Sequence, residues 1–146
     1  MKKIIILLSV FMLLSCSKED ENGEKELAIK VENMRGKWYF KETIKADGTS
    51  IPYDNACPNN RDYVVFNEGG IFKFYDHFYS CDNPDIKNGN FIYYQDGVTV
   101  YFGSTSSPLP FYPCTIKRIT TQQINFEFDH VLASGTEKRI LVLTRS

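Results

Sequence analysis

In residues 122–129, Ile124, Phe126 and Phe128 alternate with Asn125, Glu127 and Asp129. A strand sends successive side chains to opposite faces, so this period of two describes a sheet with one apolar and one polar surface. The same period returns along the chain. Trp38, Phe40 and Ile44 carry it in the first such run, Val64 and Phe66 in 62–67, and Phe72 and Phe74 in 71–78. Phe91 and Tyr93 carry it in 89–94 and Val98, Val100 and Phe102 in 98–102, and two further strands are expected over 114–119 and 138–144. Turn signals separate the runs at Asp47-Gly48, Glu68-Gly69-Gly70, Gln95-Asp96-Gly97 and Ser134-Gly135. Longer loops are expected over 46–60, 80–88 and 104–113. Residues 25–34 read differently, because Leu27, Val31 and Met34 fall at i, i+4 and i+7, the apolar stripe of a short helix ending before Gly36. The expected fold is all-β: an eight-stranded antiparallel up-and-down barrel with a short N-terminal helix, occupying residues 27–146. A β-sandwich satisfies the same alternation.

The N-terminus obeys another rule. Met1-Lys2-Lys3 precedes an apolar run from Ile4 to Leu14 that is broken only by Ser9. A spanning helix needs about 20 apolar residues, so this run is too short for one, and its lysine-then-apolar order is that of a secretory signal. Leu13-Leu14-Ser15-Cys16 resembles the lipobox of bacterial lipoproteins. The resemblance implies a signal peptide of residues 1–15 and lipidation of Cys16, whose acyl chains would anchor the protein at about 0.8 kcal/mol per buried CH₂. Residues 17–26 carry no apolar side chain and are mostly acidic, so 16–26 is expected to be a disordered tether. The start Cys16-Ser17-Lys18-Glu19-Asp20-Glu21 also resembles the acidic surface-export signal of Bacteroidota lipoproteins. The expected location is the cell envelope, lipid-anchored to the outer membrane, with the domain displayed on the surface or facing the periplasm.

Composition removes several functions. Lys and Arg number 17 against 18 Asp and Glu, and loss of Lys2 and Lys3 with the signal moves the net charge from −1 to −3. With no basic patch, nucleic acid is not an expected partner. No Gly-x-Ser-x-Gly elbow, P-loop or His-Glu-x-x-His occurs, and no carboxylate spacing singles out an acid–base pair, so no enzyme activity is expected. His77 and His130 each follow an aspartate, a donor set that suits zinc if the two pairs meet. Read separately they are surface loop residues, and no metal or other cofactor is expected. Cys57, Cys81 and Cys114 remain for an oxidising compartment, in which disulfides persist. Cys57 and Cys81 flank two strands that read as one hairpin, so a bridge between them would staple its open end. Cys114 is then a buried free thiol, with neither histidine near it in sequence.

Gly36-Lys37-Trp38 opens the first strand directly after the short helix, and Leu143-Thr144-Arg145 closes the last. This resembles the Gly-x-Trp opening and terminal arginine of lipocalins. Cys57, then Tyr63-Val64-Val65-Phe66-Asn67-Glu68-Gly69-Gly70, then Cys81 resembles the lipocalin-like domain of Bacteroidota lipoproteins. The resemblance implies that Arg145 covers Trp38 by a cation–π contact and seals the closed end of the barrel. A second lipocalin motif, Thr-Asp-Tyr near the middle loop, has no counterpart here.

A barrel of eight strands encloses either packed side chains or one small ligand. The inward-facing residues Phe40, Phe72, Phe74, Tyr93, Val100, Phe102, Phe126 and Phe128 are the candidates to line a ligand cavity, with Tyr93 as a polar handle. The opposing expectation is that these rings fill the barrel. Outward Tyr75, Tyr79, Tyr94 and Tyr101 would then offer an aromatic face to glycan or a partner protein, and Phe111 with Tyr112 on a proline-stiffened loop would lid the open end. The leading expectation is a membrane-anchored, non-enzymatic barrel that binds a small hydrophobic ligand. The alternative is a filled-barrel interaction module at the cell surface.

Overall fold

The computed structural model describes residues 24–94, 96–104 and 112–145. The signal-like run, Cys16 and Phe111 lie outside these residues. A four-residue helix, α1 (Val31–Met34), leads into β1 (Gly36–Lys45), β2 (Ser50–Pro52), β3 (Tyr63–Phe66), β4 (Ile71–Asp76) and β5 (Asp85–Tyr93). There follow β6 (Thr99–Ser104), β7 (Tyr112–Ile119), β8 (Gln123–Leu132) and β9 (Gly135–Thr144). Sequential strands pair antiparallel from β3 to β9, and β9 returns to β1 with Phe40 opposite Leu143 and Ile44 opposite Ile140. The sheet therefore closes on itself, which removes the sandwich alternative and leaves no free edge running the length of the wall.

The wall has eight strands although nine segments form it. Both β2 and β3 lie on the edge of β1 opposite β9, and both run antiparallel to it: Tyr39 pairs with Tyr63, and Glu42 with Pro52. Three steps along β1 thus correspond to eleven along its partner, so eight residues are extruded from what is otherwise one strand. The ten residues 53–62, standing opposite only Phe40 and Lys41, form this excursion. The expected loop over 46–60 missed β2 because Ser50-Ile51-Pro52 is exposed and carries no apolar alternation. The edge of β1 provides its pairing.

Two other boundaries also differ from expectation. The helix is confined to Val31–Met34. Residues before it run extended across the base of the barrel, where the Leu27 N–H donates to the Ile119 carbonyl at 2.8 Å and Glu26 bridges Thr120. Leu27, Ile29 and Val31 still face the core. A backbone partner on β7 outweighed the local helical spacing. β5 begins at Asp85, inside the expected 80–88 loop, because backbone pairing to β4 continues to Asp76–Asp85 whatever the side chains.

The closed end is the best-buried part. Trp38, Met34, Ile119, Ile124 and Val100 are fully buried there. The Trp38 indole N–H donates to the Met34 carbonyl at 2.6 Å, joining α1 to the barrel floor. Tyr93 reaches the same place, its hydroxyl against the Met34 sulfur. Higher up, Gly89 stands opposite Phe72, and the Phe72 ring occupies the space that a Cβ at Gly89 would need.

Candidate functional site

Above this floor the barrel holds an apolar cavity of about 310 Å³. The inward alternation of β1, β4, β6 and β8 brings Phe40, Phe72, Phe74, Phe102, Phe126 and Phe128 to its wall. Edge-to-face contacts keep the rings at the margin: Phe72 and Phe126 each meet Phe102 edge-on, with centroids 5.6 and 5.4 Å away, and Phe40 meets Phe74 at 5.2 Å. Rings locked against one another cannot all collapse inward, so the centre stays open.

Two of the expected lining residues do not reach this cavity. Tyr93 and Val100 share the inward face but lie at the closed end, Val100 fully buried and Tyr93 against Met34. Residue parity gives the face of a strand and says nothing about depth along the barrel. Val64, Phe66, Leu141, Leu143 and Cys114 line the cavity and were not foreseen. The apolar run Ile140–Leu143 held the signal for the two leucines, though an unbroken run does not say which side chains face inward. Cys114 is the free thiol, and burial pushes it up to about 11, so it sits in the wall as a neutral thiol.

The inward column of β8 and β9 continues beyond the cavity into a polar rim. His130 makes an edge contact with Phe128 at 6.5 Å and pairs with Glu137, and Arg139, opposite Phe128, forms an ion pair with Glu137. The apolar chamber therefore opens toward charged groups. On the other side of the mouth, Tyr53 stacks on Phe40 at 4.9 Å. Its hydroxyl donates to Asp62 at 2.9 Å, and the phenol is pushed well above its ordinary value, first by burial and then by that carboxylate.

Asp62 is buried and well supplied with donors. It takes the His77 backbone N–H at 2.7 Å and stands 3.3 Å from His77 Nδ1. His77 is thereby engaged with a carboxylate at the foot of the excursion, while His130 lies on β8. Among the described residues no group of three or more His, Cys, Asp or Glu side chains is placed to hold a metal ion. Cys57 and Cys81 form a disulfide between the excursion and the β4–β5 loop. At the base, the Arg145 guanidinium lies 4.2 Å above the Trp38 ring and donates to the Arg35 carbonyl at 2.7 Å. Of the outward tyrosines, Tyr75 stacks on Tyr63 at 4.4 Å, Tyr94 stands 6.1 Å from Tyr101, and Tyr79 is highly exposed beside Phe78.

A closed eight-strand barrel with a plugged, arginine-capped floor and an apolar interior defines a lipocalin-like fold. No protein-family model matches the chain, and no curated protein matches its sequence. Among solved structures the chain is similar to lobster apocrustacyanin A1, with TM-score 0.50 and 17% identity over 79% of this chain and 62% of that one. It thus spans less than two thirds of the crustacyanin's length. It is also similar to bovine odorant-binding protein, solved in complex with a selenium-containing odorant, with TM-score 0.48 and 12% identity over 84% of this chain and 76% of that one. At these identities the likeness concerns the fold.

Proposed function

We propose that this protein is a membrane-anchored, lipocalin-like binding protein that holds one small hydrophobic or amphipathic molecule in its barrel, without catalysis. The observation that carries the reading is the apolar chamber of about 310 Å³, at the lower end of the range for small-molecule pockets. Burial of apolar ligand surface supplies affinity at roughly 25 cal/mol per Å², before the costs of ordering. The His130–Glu137–Arg139 rim suits a ligand with a polar head and an apolar body.

Titration of the full chain with N-phenyl-1-naphthylamine, a neutral fluorescent probe, is expected to show saturable one-to-one binding. Cys114→Trp places an indole in the cavity and is expected to weaken the probe at least tenfold, while Cys114→Ala leaves it bound. Phe126, nearly fully buried among Phe66 and Phe102, is a poor test position because its loss disturbs the fold. Equal binding by Cys114→Trp and the parent chain, or no binding by either, would remove the cavity from the functional account.

The anchoring half of the proposal rests on Leu13-Leu14-Ser15-Cys16. In a bacterial host, the parent chain is expected in the membrane fraction and to incorporate a labelled fatty acid. Cys16→Ser is expected to lose the label and leave the membrane fraction. Label retained by Cys16→Ser would refute lipidation at this residue.

A further inference from the structure

A second concavity, of about 470 Å³, lies outside the barrel wall near its mouth. Its floor is aromatic. Tyr39 on β1, Tyr63 on β3 and Tyr75 on β4 stand opposite one another in register on the outward face. Tyr39 and Tyr63 line the groove, their centroids 5.8 Å apart, and Tyr75 backs Tyr63 in a parallel stack. Asn59, Asn60 and Arg61 of the excursion form one wall, and Cys81, Asp82 and Pro84 of the β4–β5 loop form the other.

The walls are fixed to one another before any ligand arrives. The Cys57–Cys81 disulfide joins the two loops covalently. The Asn60 amide donates to the Cys81 carbonyl, and Asp62 ties the foot of the excursion to His77. Such pre-organisation lowers the ordering cost of binding.

Two cations of the groove rest on aromatic rings instead of on carboxylates. Elsewhere on the barrel Arg35, Lys41, Lys87, Lys117, Lys138 and Arg139 each have a carboxylate partner. Lys37 and Arg61 have none among the described residues, nor do Lys30, Lys45 and Lys73, and Arg61 Nη2 donates to the Phe40 carbonyl at 3.4 Å. Lys37 Nζ rests 3.7 Å from the Tyr63 ring centre and 4.8 Å from that of Tyr39, and the Arg61 guanidinium lies 4.8 Å from the Tyr39 ring. Asp82 on the opposite wall pairs with neither. Two cations thus converge on the Tyr39 ring, held by rings and, for Arg61, by the Phe40 carbonyl, with no carboxylate paired to either among the described residues.

We propose that this groove binds an acidic saccharide. A sugar carboxylate sits between Lys37 and Arg61, and the sugar body lies along the groove between its two loop walls, against the cation-covered tyrosine row, with its hydroxyls toward the Asn59 and Asn60 amides. The paired cations select the charged member over its neutral counterpart. The site is separate from the apolar chamber and does not depend on its occupancy.

The test is calorimetric titration of the oxidised full chain with three probes: a glucuronate-containing disaccharide, the glucose disaccharide of the same linkage, and sodium sulfate. The acidic disaccharide is expected to bind one-to-one, at least tenfold tighter than either other probe. Lys37→Met and Arg61→Gln are each expected to weaken it tenfold or more, and higher salt to weaken it further. Both variants keep parent-like binding of the fluorescent probe if the chamber is functional, so the two readings fail independently. The proposal is overturned if the neutral disaccharide binds as tightly, if sulfate matches the acidic sugar, if both variants behave like the parent, or if no probe binds.

Discussion

Trp38→Ala is expected to lower the unfolding free energy by about 3–5 kcal/mol, the range for removing a large buried aromatic side chain. Trp38 is fully buried, and its indole N–H is the donor that holds the Met34 carbonyl. The substitution therefore leaves a cavity at the barrel floor and an unpaired carbonyl at the end of α1. It also removes the surface on which the Arg145 guanidinium lies. Urea denaturation should show a lower midpoint with the slope little changed, as for a loss of stability without a change in the area exposed. Arg145→Ala should cost less, because the tryptophan stays buried and the loss is confined to the cation–π contact and the bond to the Arg35 carbonyl.

The second large effect concerns the mouth. Cys57→Ala with Cys81→Ala opens a loop whose ends are 24 residues apart in sequence. Loop-closure entropy for that length puts the loss at about 3.5 kcal/mol. Thermal denaturation of the double variant against the oxidised parent measures it. The parent treated with reductant should move toward the variant. A loss well under 1 kcal/mol would mean that the bridge does little to restrict the unfolded chain.

Much of this architecture could be read from the period of two. Ile124 and Phe126 on β8 and Val64 and Phe66 on β3 are buried inward as their alternation demands, and Phe128 faces the chamber. Closure was not legible that way, since the β1–β9 pairing joins segments about a hundred residues apart and a sandwich uses the same pattern. Nor was the extended course of residues before α1, where spacing suited a helix but the Ile119 carbonyl supplied a stronger partner. The strand Asp85–Tyr93 begins with Asp85-Ile86-Lys87-Asn88, which has no apolar face; pairing to β4 and the Lys87–Asp76 ion pair hold it there. Six expected phenylalanines do line the chamber, while Tyr93 and Val100 lie beneath it. The outer groove was least legible, because its floor comes from three strands and its walls from two loops that only the fold brings together.

The interruption between β2 and β3 has an evolutionary consequence. β1 fixes the register on both sides of it, so the extruded residues can change in number without sliding either flanking segment. A doubling of such a loop adds only about 0.6 kcal/mol of closure entropy. Insertions here, in contrast to those within a continuous strand, leave every inward side chain on its own face. The excursion is thus a natural graft point: this one segment can be rewritten or lengthened while the rest of the wall stays intact.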